Sequence, residues 1–324
     1  MIHFLIKRLI GLLFVVIGIT FVTFILGYYA PGDPIAQLLG QHYTRDAYLA
    51  LKHSYGLDLP WYQQYLNVLI GMLRFDFGLS FQPKGRPVLD MLKDGIPVSL
   101  ELGFWALIPQ VVIGVLLGTR SALKANSQID TISTSVLLTL YALPSFVFAR
   151  LVQIAIVWLD KYTGWDWPIA YWGSPWQYSW VDIQHKLVPI FVYAVIGIAY
   201  FSRLTRTAIL EVMHQDYIRT ARAKGLREWE VVYRHALRNA LIPLITAIGN
   251  AVGFLVTGAF FIEWIFNIPG IAGVTFKAVE LRNYPVIQAT TVLLAISVGF
   301  TNLLADILYT VVNPVIRKEV FEKK

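Results

Sequence analysis

Residues 9–32 read LIGLLFVVIGITFVTFILGYYAPG, and no charged side chain interrupts them. About 20 apolar residues in a helix cross the hydrocarbon of a bilayer. This run is long enough, and Lys7 and Arg8 stand directly before it. It reads as a membrane span. A secretory signal peptide is the alternative, but the apolar part is too long and no small-residue cleavage site closes it.

The rest of the 324-residue chain fits the same solvent. It is 56% hydrophobic and 15% charged, with a mean hydropathy of +0.59, too apolar for a soluble domain of this size. Further spans are expected at about 97–119, 131–158, 187–208, 241–264 and 285–312. Pro144 should kink the third, because proline removes a helix hydrogen bond. Between the first two spans, 33–95 is a mixed, polar loop region broken at PGDP, QPKGRP and DGIP. The chain thus divides into 1–32, 33–95, a core of 96–312 containing a polar loop at 209–240, and a basic tail at 313–324. The expected fold class is all-α: a polytopic membrane protein of six helices. No internal repeat is evident.

Sixteen of the 27 Lys and Arg fall in the N-terminus, the 120–130 loop, the 203–240 loop and the tail. Ten are spread over the longer loops of the other face, and the last is Arg150. The positive-inside rule therefore puts both termini and the 209–240 loop in the cytoplasm. This topology also accounts for the net charge of +7 without a nucleic-acid partner. There is no cysteine, which excludes a disulfide scaffold, a thiolate metal site and a cysteine nucleophile. The six histidines form no metal-ligand spacing, and no GxxxxGK[ST] phosphate loop occurs, so the chain is expected to hold neither a metal nor a nucleotide of its own.

Within the basic loop, residues 217–243 read YIRTARAKGLREWEVVYRHALRNALIP. Asp216 suits a helix N-cap and Gly225 a C′ stop, which predicts a helix over 217–224. Two turns are too short to stand alone. Ala221 and Ala223 are small enough to let a partner backbone approach, and Arg219, Arg222 and Lys224 surround them with charge. A second helix is expected over about 227–240. Glu230 lies four residues before Arg234, and Arg227, Arg234 and Arg238 share a stripe. Pro243 marks a bend into the fifth span. The alternative is a surface loop whose arginines meet anionic headgroups.

This segment resembles the cytoplasmic loop of ATP-binding-cassette importer permeases, and YIRTARAKGL…RHALRNALIP resembles the dipeptide/oligopeptide branch. PGDP (31–34), YGLDLPWYQQY (55–65), FDFGLS (75–80), LPSF (143–146), FIEWIFNIPGIAG (261–273), RNYPVIQA (282–289) and ADILYTVVNPVIR (305–317) agree in order over most of the chain. The resemblance implies a type I importer permease. Residues 215–226 would be a coupling helix resting on an ATPase subunit, with contacts from Asp216, Arg219, Thr220, Ala221, Arg222, Ala223 and Gly225. Arg219 and Thr220 depart from the Glu and Ala of other branches. At His235–Arg238 the later family element lacks its proline, which matches the peptide branch, and with Arg219 in place of the usual Glu no salt bridge from that Glu is carried over. The implied partners are a second, similar permease, two ATPase subunits holding ATP and magnesium, an extracytoplasmic solute-binding protein and membrane lipid.

Several polar residues lie inside spans. Arg150 either snorkels to the interface or pairs with Glu101. Asp306 caps a neighbour or meets Arg317, and a lone acid makes no proton relay. Asn250, Thr257, Thr290, Thr291 and Asn302 either line a translocation path or bond between helices; Gly249, Gly253 and Gly258 suggest close helix contact. Trp165, Trp167, Trp172, Trp176 and Trp180 either anchor the 159–186 loop at the interface, dock a binding protein or stack on a sugar. The last keeps oligosaccharide import open as an alternative, beside a metal complex. A stand-alone transporter or channel would need paired intramembrane acids or an ion site, and a membrane enzyme a nucleophile with its base; neither is visible.

Overall fold

The computed structural model describes residues 2–40, 43–257 and 259–312; among them the structure is helical apart from one isolated β-bridge, Leu79 to Pro87. The opening run is helix α1 (Ile2–Tyr29). Three short helices follow in the polar region: α2 (Pro34–Leu39), α3 (Arg45–Ser54) and α4 (Trp61–Leu73). The membrane-type core comprises α5 (Val88–Leu123), α6 (Gln128–Ala142), α7 (Ser145–Thr163) and α8 (Trp180–Met213). The basic loop holds α9 (Asp216–Ala223) and α10 (Glu228–Glu230). A π-helical stretch, Val231–Ala236, leads into α11 (Leu237–Phe254). The chain continues through α12 (Phe260–Ile265) and α13 (Ile271–Glu280) to α14 (Tyr284–Val312).

Four helices, α1, α5, α8 and α14, are long and apolar enough to cross a membrane unaided. Two further crossings are bent pairs: α6 with α7, at 101°, and Glu228–Leu241 with Pro243–Phe254, at 50°. Counted together they make the six-span all-α fold. The expected kink at Pro144 is a full break. Leu143, the residue before the proline, is driven out of the helical region to φ −71°, ψ 128°, and Pro144 starts a new helix. The expected fifth span also stops early. α11 ends at Phe254, a 3₁₀ turn covers Leu255–Thr257, and α12 is a separate piece. Hydropathy counts through such breaks because no charged residue falls in them.

The central contact is α5 against α8. A Cβ on Gly118 would lie 2.4 Å from the carbonyl oxygen of Ser202, so only glycine permits that approach. Gly253 likewise sits against Thr301 of α14, the close contact its spacing suggested. Gly258, the side chain of Asp306, and Arg317 lie outside the described residues.

Each end of the bundle is clamped by a buried charge. At the end away from α9, Lys186 Nζ of α8 donates to Glu101 Oε1 of α5 at 2.8 Å, to Ser174 O at 2.9 Å and to Gln177 O at 2.7 Å. Glu101 Oε2 accepts from Trp172 Nε1 at 2.8 Å and from the Trp176 amide at 2.9 Å. The pair is thus fully hydrogen-bonded, the condition under which burying two charges is tolerable. At the α9 end, Arg206 grips Asp130 with two bonds, Nε to Oδ1 at 2.8 Å and Nη2 to Oδ2 at 2.7 Å. Ser121 of α5 bonds the same carboxylate.

Of the two alternatives for Arg150, the pair with Glu101 therefore does not form, since Lys186 takes the carboxylate. The tryptophan loop is likewise not one surface. Trp172 is fully buried in the core with Leu102, Val192 and Phe266, whereas Trp165, Trp176 and Trp180 are exposed.

Candidate functional site

The candidate site is α9 with the strip that supports it. Gln215, not Asp216, is the N-cap residue, with extended φ −77°, ψ 150°. Asp216 occupies the first helical position, where its charge still complements the helix N-terminus. Its carboxylate lies 3.5 Å from Arg219 Nη1, and both side chains are solvated. The stop is as expected. Lys224 and Gly225 donate to Thr220 O and Arg222 O at 3.1 and 2.9 Å, and Gly225 adopts φ +77°.

α9 has two distinct faces. Ile218 and Ala221 are buried and pack on Val231 and Ala236, beside Val212, Met213 and Leu226. Ala221 is therefore turned toward its own chain, and its small side chain serves the approach of the π-helical stretch. Arg219, Thr220, Arg222, Ala223 and Lys224 face outward. Arg222 also spans to Glu228 with a two-bond ion pair, Nη2 to Oε1 at 2.6 Å and Nε to Oε2 at 3.2 Å. That carboxylate raises the arginine's already high pKa. The pair closes α9 onto the start of the next helix.

The second helix differs from its expected form. Glu230 turns back to accept from the Arg227 amide at 3.0 Å, as an N-terminal capping acid does, instead of reaching forward to Arg234. The backbone then widens into π geometry over Val231–Ala236, which carries Val231, Val232 and Ala236 inward. Arg227, Arg234 and Arg238 are all exposed. Three aromatic side chains of the same strip that the sequence reading passed over are also exposed: Tyr217, Trp229 and Tyr233, at 40%, 57% and 47%. Asn239 Nδ2 donates to the Tyr217 hydroxyl at 2.6 Å and holds it. Aromatics alternating with arginines form the composition that anchors protein interfaces. Their signal was present at positions 217, 229 and 233 as apolar rings in an otherwise charged stretch.

The residues that either line a path or bond between helices fall in different environments. Asn250 and Asn302 are exposed. Thr290 is buried, with its hydroxyl bonded to Val286 O and Ile287 O of its own helix, and Thr291 does the same to Ile287 O. The side chain of Thr257 lies outside the described residues. A buried site that sequence reasoning missed lies nearby. Glu263 of α12 accepts from Ser99 Oγ at 2.7 Å and from the Gly273 amide at 2.9 Å, while the Ile271 amide donates to Ser99 Oγ at 2.8 Å. This ties α12, the first turn of α13 and α5 into one unit. No group of three His, Asp or Glu placed to hold a metal occurs among the described residues.

The architecture has close relatives. The chain is 37% identical over 319 residues to the dipeptide transport system permease protein DppB of Bacillus subtilis (strain 168), covering 98% of each chain. It is 35% identical over 339 residues to the protein of the same name from Escherichia coli (strain K12), covering 98% of this chain and 99% of that one. It is 36% identical over 312 residues to the oligopeptide transport system permease protein AppB of Bacillus subtilis, covering 96% and 98%. Residues 1–103 match the N-terminal model of the binding-protein-dependent transport membrane components. With residues 110–318 matching the main model, the chain belongs to the family of binding-protein-dependent transport system inner membrane components.

Proposed function

We propose that this chain is the permease subunit of an ATP-driven, binding-protein-dependent importer of di- or oligopeptides. The observation that carries the substrate class is near-full-length similarity to dipeptide and oligopeptide permeases. The chain spans the cytoplasmic membrane with both termini inside, beside a second, similar permease. Two ATP-binding-cassette subunits hold the ATP and magnesium and carry out the hydrolysis. A solute-binding protein delivers peptide from outside. The tryptophan loop lends oligosaccharides little support, because Trp172 is spent on the core.

In this reading 209–240 is the coupling loop and α9 its docking helix. Its fixed stop and its ion pair to Glu228 suit it to move as one piece. The outward side chains Tyr217, Arg219, Thr220, Arg222 and Ala223 face the ATPase, with Asp216 and Gly225 at the two ends. Ile218 and Ala221 form the joint through which closure of the ATPases pushes on the π-helical stretch and thence on α11.

The test is reconstitution with the ATPases, the second permease and the binding protein, scoring peptide uptake with and without ATP. Gly225→Val is the diagnostic variant. A side chain there meets no neighbour within 4 Å, so the cost is backbone strain, about 1–2 kcal/mol for a left-handed residue and more for a β-branched one. Insertion should survive, the ATPase should loosen and uptake should be lost, while Gly225→Asn should retain both. Uptake independent of ATP, or a Gly225→Val permease that binds its ATPase and transports normally, overturns the reading.

A further inference from the structure

Two interruptions of the backbone meet at one place. The first is the 101° break between α6 and α7, and the second is the 3₁₀ turn and gap between α11 and α12. Just past each break, Phe146 and Phe261 pack with ring centroids 5.4 Å apart. The helices that follow the two breaks, α7 and α12, wall an open cavity of about 530 Å³ through Phe146, Val147, Arg150, Leu151, Trp264 and Ile265.

Arg150 is exposed, and among the described residues its only hydrogen-bond partner is neutral: Nη1 donates to Gln153 Oε1 at 2.9 Å. Gln153 is buried, and its Nε2 is held by Ile169 O at 2.9 Å and Ile265 O at 3.2 Å. The guanidinium is therefore aimed by a side chain that is itself fixed, with most of its donors unused. Glu101, the acid offered as one alternative partner for it, is committed to Lys186. An arginine within a span, without an acid and facing a cavity, marks a solute route. Its planar fork matches a carboxylate with two parallel bonds.

Resting on the peptide-importer reading above, we infer that Arg150 lines the translocation route and receives the C-terminal carboxylate of the passing peptide, held by Gln153 and flanked by the Phe146 and Trp264 rings.

The chain has no cysteine, so Arg150→Cys introduces a single reactive position into it. In the reconstituted importer, with alanyl-alanine as the peptide and ATP present, this variant should lose about tenfold or more of uptake, the scale of losing bonds to a charged group. Aminoethyl methanethiosulfonate, which restores a cation, should recover uptake, and the sulfonatoethyl reagent should not. Loaded binding protein should slow the modification relative to empty binding protein. Undiminished uptake, no reaction with either reagent (a position covered by lipid or by the second permease), equal recovery by both reagents, or absence of substrate protection each overturns the inference. If Arg150→Cys fails to assemble, Arg150→Lys, which keeps the charge, is assayed instead; failure of both to assemble makes the role structural and also overturns it. ATP-dependent uptake by the unaltered importer tests the peptide-importer reading separately, so the two failures are distinguishable.

Discussion

Removing Lys186 should do more damage than removing most apolar core residues. The side chains of Lys186 and Glu101 are 3% and 0% exposed. In Lys186→Met the stem volume is kept, so little packing is lost. What remains is a carboxylate without its counter-charge and two loop carbonyls, Ser174 O and Gln177 O, without their donor. Breaking a buried ion pair by removing one partner costs about 3–5 kcal/mol, and each abandoned carbonyl about 1–3 kcal/mol more where water cannot reach it. The loop can rearrange to rehydrate the carbonyls, so the expected loss is about 4 kcal/mol, the middle of the ion-pair range. At about 2 °C per kcal/mol for a chain of this size, that lowers the melting midpoint by about 8 °C.

The decisive measurement is the double-mutant cycle. Glu101→Gln keeps an acceptor for Trp172 Nε1 and removes the charge that Lys186 answers. Combined with Lys186→Met, it should recover about 2 kcal/mol or more relative to the sum of the two single changes, as coupled neighbours do. Thermal unfolding in detergent, followed by tryptophan fluorescence, reads this directly because Trp172 sits on the pair. Strictly additive single changes, or a Lys186→Met midpoint within 1–2 °C of the parent, would show that the clamp is not where the stability of this end resides.

Three further outcomes are expected. Arg206→Lys should destabilise the α9 end by about 1–3 kcal/mol, since lysine cannot reproduce the two-bond grip on Asp130; a melting midpoint equal to that of the parent refutes the assignment. Ile218→Ala, at a fully buried position, removes about 2–5 kcal/mol of local packing; hydrogen exchange over 215–226 should rise while the global melting temperature stays put, and a uniform loss of stability would contradict the two-faced picture of α9. Asp33 caps α2 and accepts from Tyr48 at 2.6 Å; burial works to raise its pKa, but the Tyr48 hydroxyl and the Ala36 and Ile35 amides outweigh it, holding the carboxyl below its ordinary value. Its stabilising contribution is therefore present above pH about 4 and drains away as pH falls through the lowered folded value. Asp33→Asn should flatten the acid limb of the stability profile, and an unchanged limb refutes this.

What the sequence made legible, and what it hid, divides along a physical line. Spans α1, α5, α8 and α14 were readable because an unbroken apolar run has one meaning in lipid. The stop of α9 was readable because Gly225 has a local reason to be glycine. Partnership was not. Glu101 and Lys186 are 85 residues apart, and Asp130 and Arg206 are 76 apart, so nothing local selects those pairs over Glu101 with Arg150. The break at Pro144 was legible as a position, but its angle depends on packing against α12. Ala221 was legible as small; which neighbour exploits the smallness was set by the π-helical stretch, whose extra residue per turn leaves no mark on hydropathy.

The distribution of strong contacts bears on how such a bundle can change shape. Buried charge fixes α5 to α8 near both ends, through Lys186 with Glu101 and through Arg206 and Ser121 on Asp130. Between the clamps Gly118 brings the two backbones together, so α5 and α8 behave as one strut. α6–α7 and α11–α12 are each interrupted, and they meet through the Phe146–Phe261 ring contact, one hydrogen bond from Gln153 to Ile265 O and an open cavity, with no salt bridge among the described residues. Ring contacts slide at small cost, whereas a buried ion pair resists separation by several kcal/mol. In the coupling role proposed for α9, a push there would pass through Ile218 and Ala221, which pack on the π-helical stretch, to α11, one of the interrupted elements. Motion is therefore expected at the joints beside Pro144 and the 3₁₀ turn Leu255–Thr257, around Arg150, with α5 and α8 as the frame. Spectroscopic distances between labels on α5 and α8 should stay constant through the ATP cycle while those between α7 and α12 change; the reverse pattern would remove the strut from the argument.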